Sequence, residues 1–142
     1  MKMGLMITKE DMQNKLLAVS GGEALLTWGY AAVAYNFTFW KNAFYYAGLT
    51  NTRLLLLRVG SFTRRPKGLT AIPLTEISAA AYADIGNMLT SHIIVLITRA
   101  GVKYPLQFPY IIGQENPGVA KEIYNHLVAE KNAGKLQIDF GR

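Results

Sequence analysis

The sequence contains no cysteine. That absence excludes disulfide staples, thiolate nucleophiles and cysteine-ligated zinc, and it leaves the redox compartment open. Histidine is nearly as scarce: His92 and His126 are the only two, and they do not stand at the HxH or HxxxH spacing that places two imidazoles on one metal. No GxSxG elbow, phosphate-binding loop or dinucleotide fingerprint is present. The expectation is therefore a protein that is not an enzyme, with no metal and no cofactor. Charge is sparse too, at 17% of residues against 51% hydrophobic, a balance that predicts a folded chain with an apolar surface or a subunit interface. Long apolar runs are missing as well. Met3 to Ile7 is too short for the core of a signal peptide. Ala24 to Trp40, although nearly uncharged, is shorter than the ~18 to 20 residues of a membrane-spanning helix. It also holds Asn36, two threonines and many aromatics, so it predicts strand and turn.

The 142 residues suffice for one domain with a single core. Its organising stretch is Phe44 to Gly60, two apolar runs joined across Leu49-Thr50-Asn51-Thr52, which predicts a hairpin. Before it, Thr8-Lys9-Glu10-Asp11 predicts a helix start with Thr8 as cap. Met12, Leu16, Leu17 and Val19 supply its apolar face, and Ser20-Gly21-Gly22 its stop. Strand composition then runs from Glu23 to Tyr35. After the hairpin come extended segments over Leu69 to Leu74, Ile77 to Ile85, His92 to Thr98 and Val102 to Phe108, with Pro73 admissible only at an edge or a bend. About seven strands at short spacing predict a sandwich or barrel. Asn116-Pro117 predicts a second helix start, with Asn116 capping free amides. The apolar stripe of that helix is Val119, Ala120, Ile123, Tyr124, Leu127 and Val128. Past Gly134, the alternation of Leu136, Ile138 and Phe140 predicts a further strand added to a sheet edge or to a neighbouring subunit.

Strands followed by one amphipathic C-terminal helix resemble the pleckstrin-homology-like (PH-like) fold. The turn Gly48-Leu49-Thr50-Asn51-Thr52-Arg53 with its leucine run, the segment Ile72-Pro73-Leu74-Thr75-Glu76-Ile77 and the hairpin ITRAGVKYPLQF resemble recurring pieces of bacterial PH domains. The resemblance spans about Glu23 to Val128. It implies a mainly β split barrel of about seven antiparallel strands in two bent sheets, capped by the C-terminal helix and preceded by an N-terminal helix. The expected division is an N-terminal helical extension over 1–22, the PH-like domain over 23–132 and a tail over 133–142. The phosphoinositide-binding members of the wider family carry several basic residues between their first two strands. Here the matching loop, Asn36 to Asn42, has only Lys41.

The net charge of +6 favours encounter with polyanions, but the basic residues are dispersed, which argues against nucleic acid. The one dense group is Arg64, Arg65 and Lys67, with Arg58 shortly before it. With Lys41, these residues are either a site for an anion or an anionic lipid headgroup or a solvated loop. Phe37, Phe39 and Trp40 either contact a membrane or partner or fill a barrel rim. Arg53 and Glu76 both sit beside apolar strand residues and suggest an ion pair. Only half of the run Leu54 to Leu57 can face one core. The other half needs cover from the N-terminal helix or from a second subunit, so Leu54 and Leu56 join Leu136, Ile138 and Phe140 as candidate interface residues. These observations lead to the expectation of a cytoplasmic, noncatalytic interaction domain that forms homo-oligomers and binds a protein or peptide. The alternative is a peripheral membrane module that binds anionic lipid.

Overall fold

The computed structural model describes residues 7–33, 43–60, 65–84, 92–111 and 115–141. Its frame is a run of seven strands: β1 (Thr27–Val33), β2 (Ala43–Leu49), β3 (Arg53–Val59), β4 (Pro66–Pro73), β5 (Ile77–Asp84), β6 (His92–Thr98) and β7 (Lys103–Phe108). They form one antiparallel sheet in the order β4-β3-β2-β1-β7-β6-β5, with β4 and β5 at its edges. Helix α1 (Lys9–Leu17) precedes the sheet and α2 (Gly118–Asn132) follows it, and a 3-10 turn over Leu74–Glu76 separates β4 from β5. Pro73 ends an edge strand, where a missing amide costs the sheet least.

Strand β3 explains the layout. Alternate side chains of a strand point to opposite faces, and here both faces are buried. Leu54 and Leu56 enter the main core, with Ala31, Tyr45, Ile94, Leu106, Ile123 and Leu127 from both halves of the sheet and from α2. Leu55, Leu57 and Val59 enter a second core, with Tyr30, Tyr46, Met12 and Leu16. Helix α1 is thus the cover that the leucine run requires. The packing is close: a Cβ added to Gly48 would lie 3.0 Å from a Leu16 methyl. The start of α1 is as expected, since the Asp11 amide donates to Thr8 Oγ1 at 3.0 Å. The Asp11 carboxylate has other partners. It accepts from the Tyr46 hydroxyl at 2.8 Å and from Lys15 at 3.1 Å, which ties the helix to β2. Leu17, expected on the apolar face, points outward and is 42% exposed.

Three expectations are corrected. Arg53 pairs with Glu23, at 3.0 Å, and not with Glu76. Asn116 does not cap α2, whose cap position is taken by Pro117 with no side-chain bond. Asn116 is instead fully buried beside β1, where the ladder to β7 covers only Ala32↔Gln107 and Val33↔Leu106. Its Oδ1 accepts from the Tyr30 amide at 2.8 Å, and its Nδ2 donates to the carbonyls of Tyr30 at 2.9 Å and Pro109 at 2.8 Å. One side-chain amide thereby substitutes for a missing strand partner. Glycine at position 29 makes room for it: a Cβ there would lie 2.7 Å from Asn116 Oδ1 and 2.9 Å from a Val119 methyl.

The third correction concerns the interface residues. Leu54, Leu56, Leu136 and Ile138 are all buried within this one chain, and Phe140 packs against the main core. The tail reaches the β5 edge through a single parallel bridge, Ala79↔Asp139. There the Ala80 amide donates to the Asp139 carbonyl at 3.0 Å, and the Asp139 amide to the Ser78 carbonyl at 2.9 Å. Arg99 holds the same segment by donating to the carbonyls of Thr75 at 2.9 Å and Gln137 at 3.1 Å. A tail that looked available to another subunit is used to finish the domain's own core.

Truncating Asn116 to Ala removes three buried hydrogen bonds, to the Tyr30 amide and to the carbonyls of Tyr30 and Pro109. We expect a loss of about 3 kcal/mol, or roughly 10 °C in Tm. Thermal unfolding followed by circular dichroism checks this, and a Tm within error of wild type would contradict the role given to Asn116.

Candidate functional site

The described cations of the basic group gather at one corner of the sheet. Arg58 is exposed near the end of β3, and Arg65 and Lys67 are exposed at the start of β4. The β3–β4 register runs from Arg53↔Pro73 to Arg58↔Gly68 and then jumps to Val59↔Pro66. Lys67 is the extra residue of that β-bulge, which brings it beside Arg58. Arg64, Lys41, Phe37, Phe39 and Trp40 lie outside the described residues.

Along this corner runs an exposed edge strand. Seven of the eight residues of β4 are exposed, with only Ile72 buried, and no described strand lies beyond it. Two hydrogen bonds establish which of its groups face outward. The Leu74 amide donates to the Thr52 carbonyl at 2.9 Å, and the Thr50 amide to the Arg53 carbonyl, also at 2.9 Å. Hydrogen-bonding direction alternates along an antiparallel strand, so Leu54, Leu56 and Arg58 bond towards β4, and their partners Ile72, Thr70 and Gly68 bond back. Leu69 and Ala71 then turn both amide and carbonyl to the free edge, and Pro73 adds a carbonyl. Leu69 also exposes 42% of its surface. No motif marks this edge in the sequence, because which strand lies outermost is a property of the topology.

The opposite end of β3 is locked. Glu23 accepts from the hydroxyls of Thr50 at 3.0 Å and Thr52 at 2.6 Å and from Arg53 Nε at 3.1 Å. Arg53 also donates to the Ser20 carbonyl. This cluster ties the segment after α1 to the β2–β3 turn, which marks it as structural. The bond from Thr52, helped by Thr50 and Arg53, holds the Glu23 carboxyl below its ordinary value. Lys9 shifts downward through burial, opposed by Glu122. It donates to the Trp28 carbonyl, and its ammonium stands 4.9 Å from the Trp28 ring centre, a role in anchoring α1.

A concavity of about 600 Å³ lies beside the tail and is lined by Ser78, Arg99, Lys131, Gln137 and Asp139 among others. Arg99 is committed there to backbone carbonyls, and Lys131 stands over the Phe140 ring at 5.3 Å, so both cations serve the tail. His92 Nδ1 and the Tyr82 hydroxyl are 2.8 Å apart, in a line of rings that continues through Tyr124 to Phe140. Among the described residues no group of three or more His, Asp or Glu is placed to hold a metal ion. No helix among them is long and apolar enough to cross a membrane.

No family model matches the sequence, and no curated protein does. The fold recurs among solved structures. The C-terminal domain of an unknown protein from Leishmania infantum is 14% identical, with a TM-score of 0.58 over 85% of this chain and 99% of that one. The hSac2 domain of the human phosphoinositide phosphatase Sac2 is 8% identical, with a TM-score of 0.56 over 96% of this chain and 92% of that one. At such identities the likeness is one of fold.

The Glu23 cluster makes a pH-dependent contribution of known sign. A carboxyl whose folded pKa is lowered stabilises fully above its unfolded value, close to 4.5, and loses that contribution as pH falls through the lower folded value. The Tm gap between wild type and Glu23→Gln should therefore be widest near neutrality and shrink below about pH 4.5. A gap independent of pH would contradict this.

Proposed function

We propose that this chain is a noncatalytic interaction domain of PH-like architecture that binds an extended segment of another protein along β4. The observation that carries the reading is the open edge, with the paired donors and acceptors of Leu69 and Ala71 turned away from the sheet. Such an edge is a template for β-augmentation, in which main-chain hydrogen bonds supply affinity and alternate side chains supply selectivity. The PH-like assignment draws on the resemblance in the leucine hairpin and on the C-terminal helix packed into a core shared by both halves of the sheet. The leucine run and the tail do not supply a self-association surface, since α1 covers the first and the second is engaged within the chain.

A panel of octapeptides alternating Val with Glu, Thr, Asn or Lys tests the edge directly. At least one member should bind wild type, and Ala71→Pro should abolish binding. Proline there removes an outward amide and no ladder bond, so the variant should keep its circular dichroism spectrum and melt near wild type. Binding that survives Ala71→Pro in a folded protein would overturn the reading, as would a panel with no binder.

The exposed corner of Arg58, Arg65 and Lys67 supports a second reading, a peripheral module on anionic membrane. If it holds, co-sedimentation with phosphatidylserine vesicles should fall steeply as salt rises and vanish when all three become Ala. Equal sedimentation with neutral vesicles would remove it.

A further inference from the structure

The occupant of the β4 edge can be specified more closely, on the premise that this edge is the working surface. A strand paired at Leu69 and Ala71 sends the residues opposite those positions to the face that carries Leu69, and the residues opposite Gly68 and Thr70 to the other face. Arg58 belongs to that second face, because it is the direct partner of Gly68. Glycine leaves the way from Arg58 to the edge uncovered: a Cβ built at Gly68 meets nothing within 4 Å. An incoming strand would lie two strand spacings from β3, roughly 10 Å, a distance that an arginine and a glutamate extended towards each other span. Lys67, bulged out beside Gly68, adds a second cation at the same position.

We infer that the β4 edge receives an extended acidic segment of another protein, with an apolar side chain against Leu69 and a carboxylate opposite Gly68 that Arg58 and Lys67 engage. Guanidinium and ammonium groups make their stronger hydrogen bonds to ionised acceptors, and a lysine-bearing segment in that register meets two like charges. The same charges disfavour a second copy of this chain as the occupant. Two β4 edges pairing with each other would join two cationic strands, with no described carboxylate on β3 or β4 to meet Arg58 or Lys67.

The Val/Glu octapeptide should bind wild type roughly tenfold or more tightly than the Val/Lys octapeptide, the gap of about one charge-assisted pair. Fluorescence anisotropy at low and high salt measures both. Arg58→Ala with Lys67→Ala should erase that preference and leave the Val/Thr octapeptide bound as before, since backbone pairing is untouched. If Ala71→Pro abolishes binding while wild type binds the Glu and Lys peptides equally, the edge stands and the acidic preference is overturned. If the double variant keeps the full preference, Arg58 and Lys67 are not its source and the inference is likewise overturned. Light scattering that finds a dimer dissolved by Ala71→Pro would replace the acidic segment with a second copy of the chain.

Discussion

Everything in this fold depends on burying both faces of one strand. Leucines at 54 and 56 point to one side of β3 and those at 55 and 57 to the other, so a sheet solvated on either face would leave large apolar side chains in water. Burial of a leucine contributes about 2 kcal/mol, and the four together therefore select strongly for an architecture with two covers. Helix α2 closes the main core across both halves of the sheet, and α1 closes the second. Helix α1 thus contributes directly to the core. Its Met12 and Leu16 are as buried as any residue of the sheet, and Asp11, Lys9 and Trp28 anchor it by polar contacts at its rim.

The second constraint is the need to satisfy backbone groups where the sheet is incomplete. Strand β1 meets β7 over only two residue pairs, and beyond them Asn116 bonds the peptide groups of Tyr30. Unpaired buried amides are costly, so a side-chain amide that donates and accepts is held against β1, with glycine at 29 leaving space. The tail solves a similar problem at the β5 edge. There Asp139 and Arg99 supply the pairing, and Leu136 and Ile138 close the core. With β5 paired to its tail, β4 is the edge along which no described strand lies. The proposed function follows from that asymmetry.

Much of the fold was legible in local pattern. The turn at Thr50 to Thr52, the alternation in β7, the Thr8 cap and the apolar stripe of α2 all rest on periodicity and on short-range hydrogen bonding. What failed were pairings across the chain. Arg53 and Glu76 both sit beside apolar strand residues, but the partner of Arg53 is Glu23, which arrives from the segment after α1, thirty positions away in sequence. Asn116 carries the local mark of a helix cap, and nothing nearby discloses that β1 lacks a partner at Tyr30. The outward Leu17 shows the same limit at smaller scale, since an apolar helix residue is buried only if the helix turns it towards the sheet.

The candidate site divides along the same line. Sequence alone determined that a cluster of cations falls between two strands, that the leucine run is apolar on both sides, and that thiol chemistry is excluded. These follow from residue identity and from the period of two along a strand. Only the tertiary structure decided that α1 supplies the missing cover, that the tail is spent on its own sheet, and that β4 lies outermost with Leu69 and Ala71 facing away. Those are matters of strand order and of hydrogen-bond direction, and both are set by which distant segments meet.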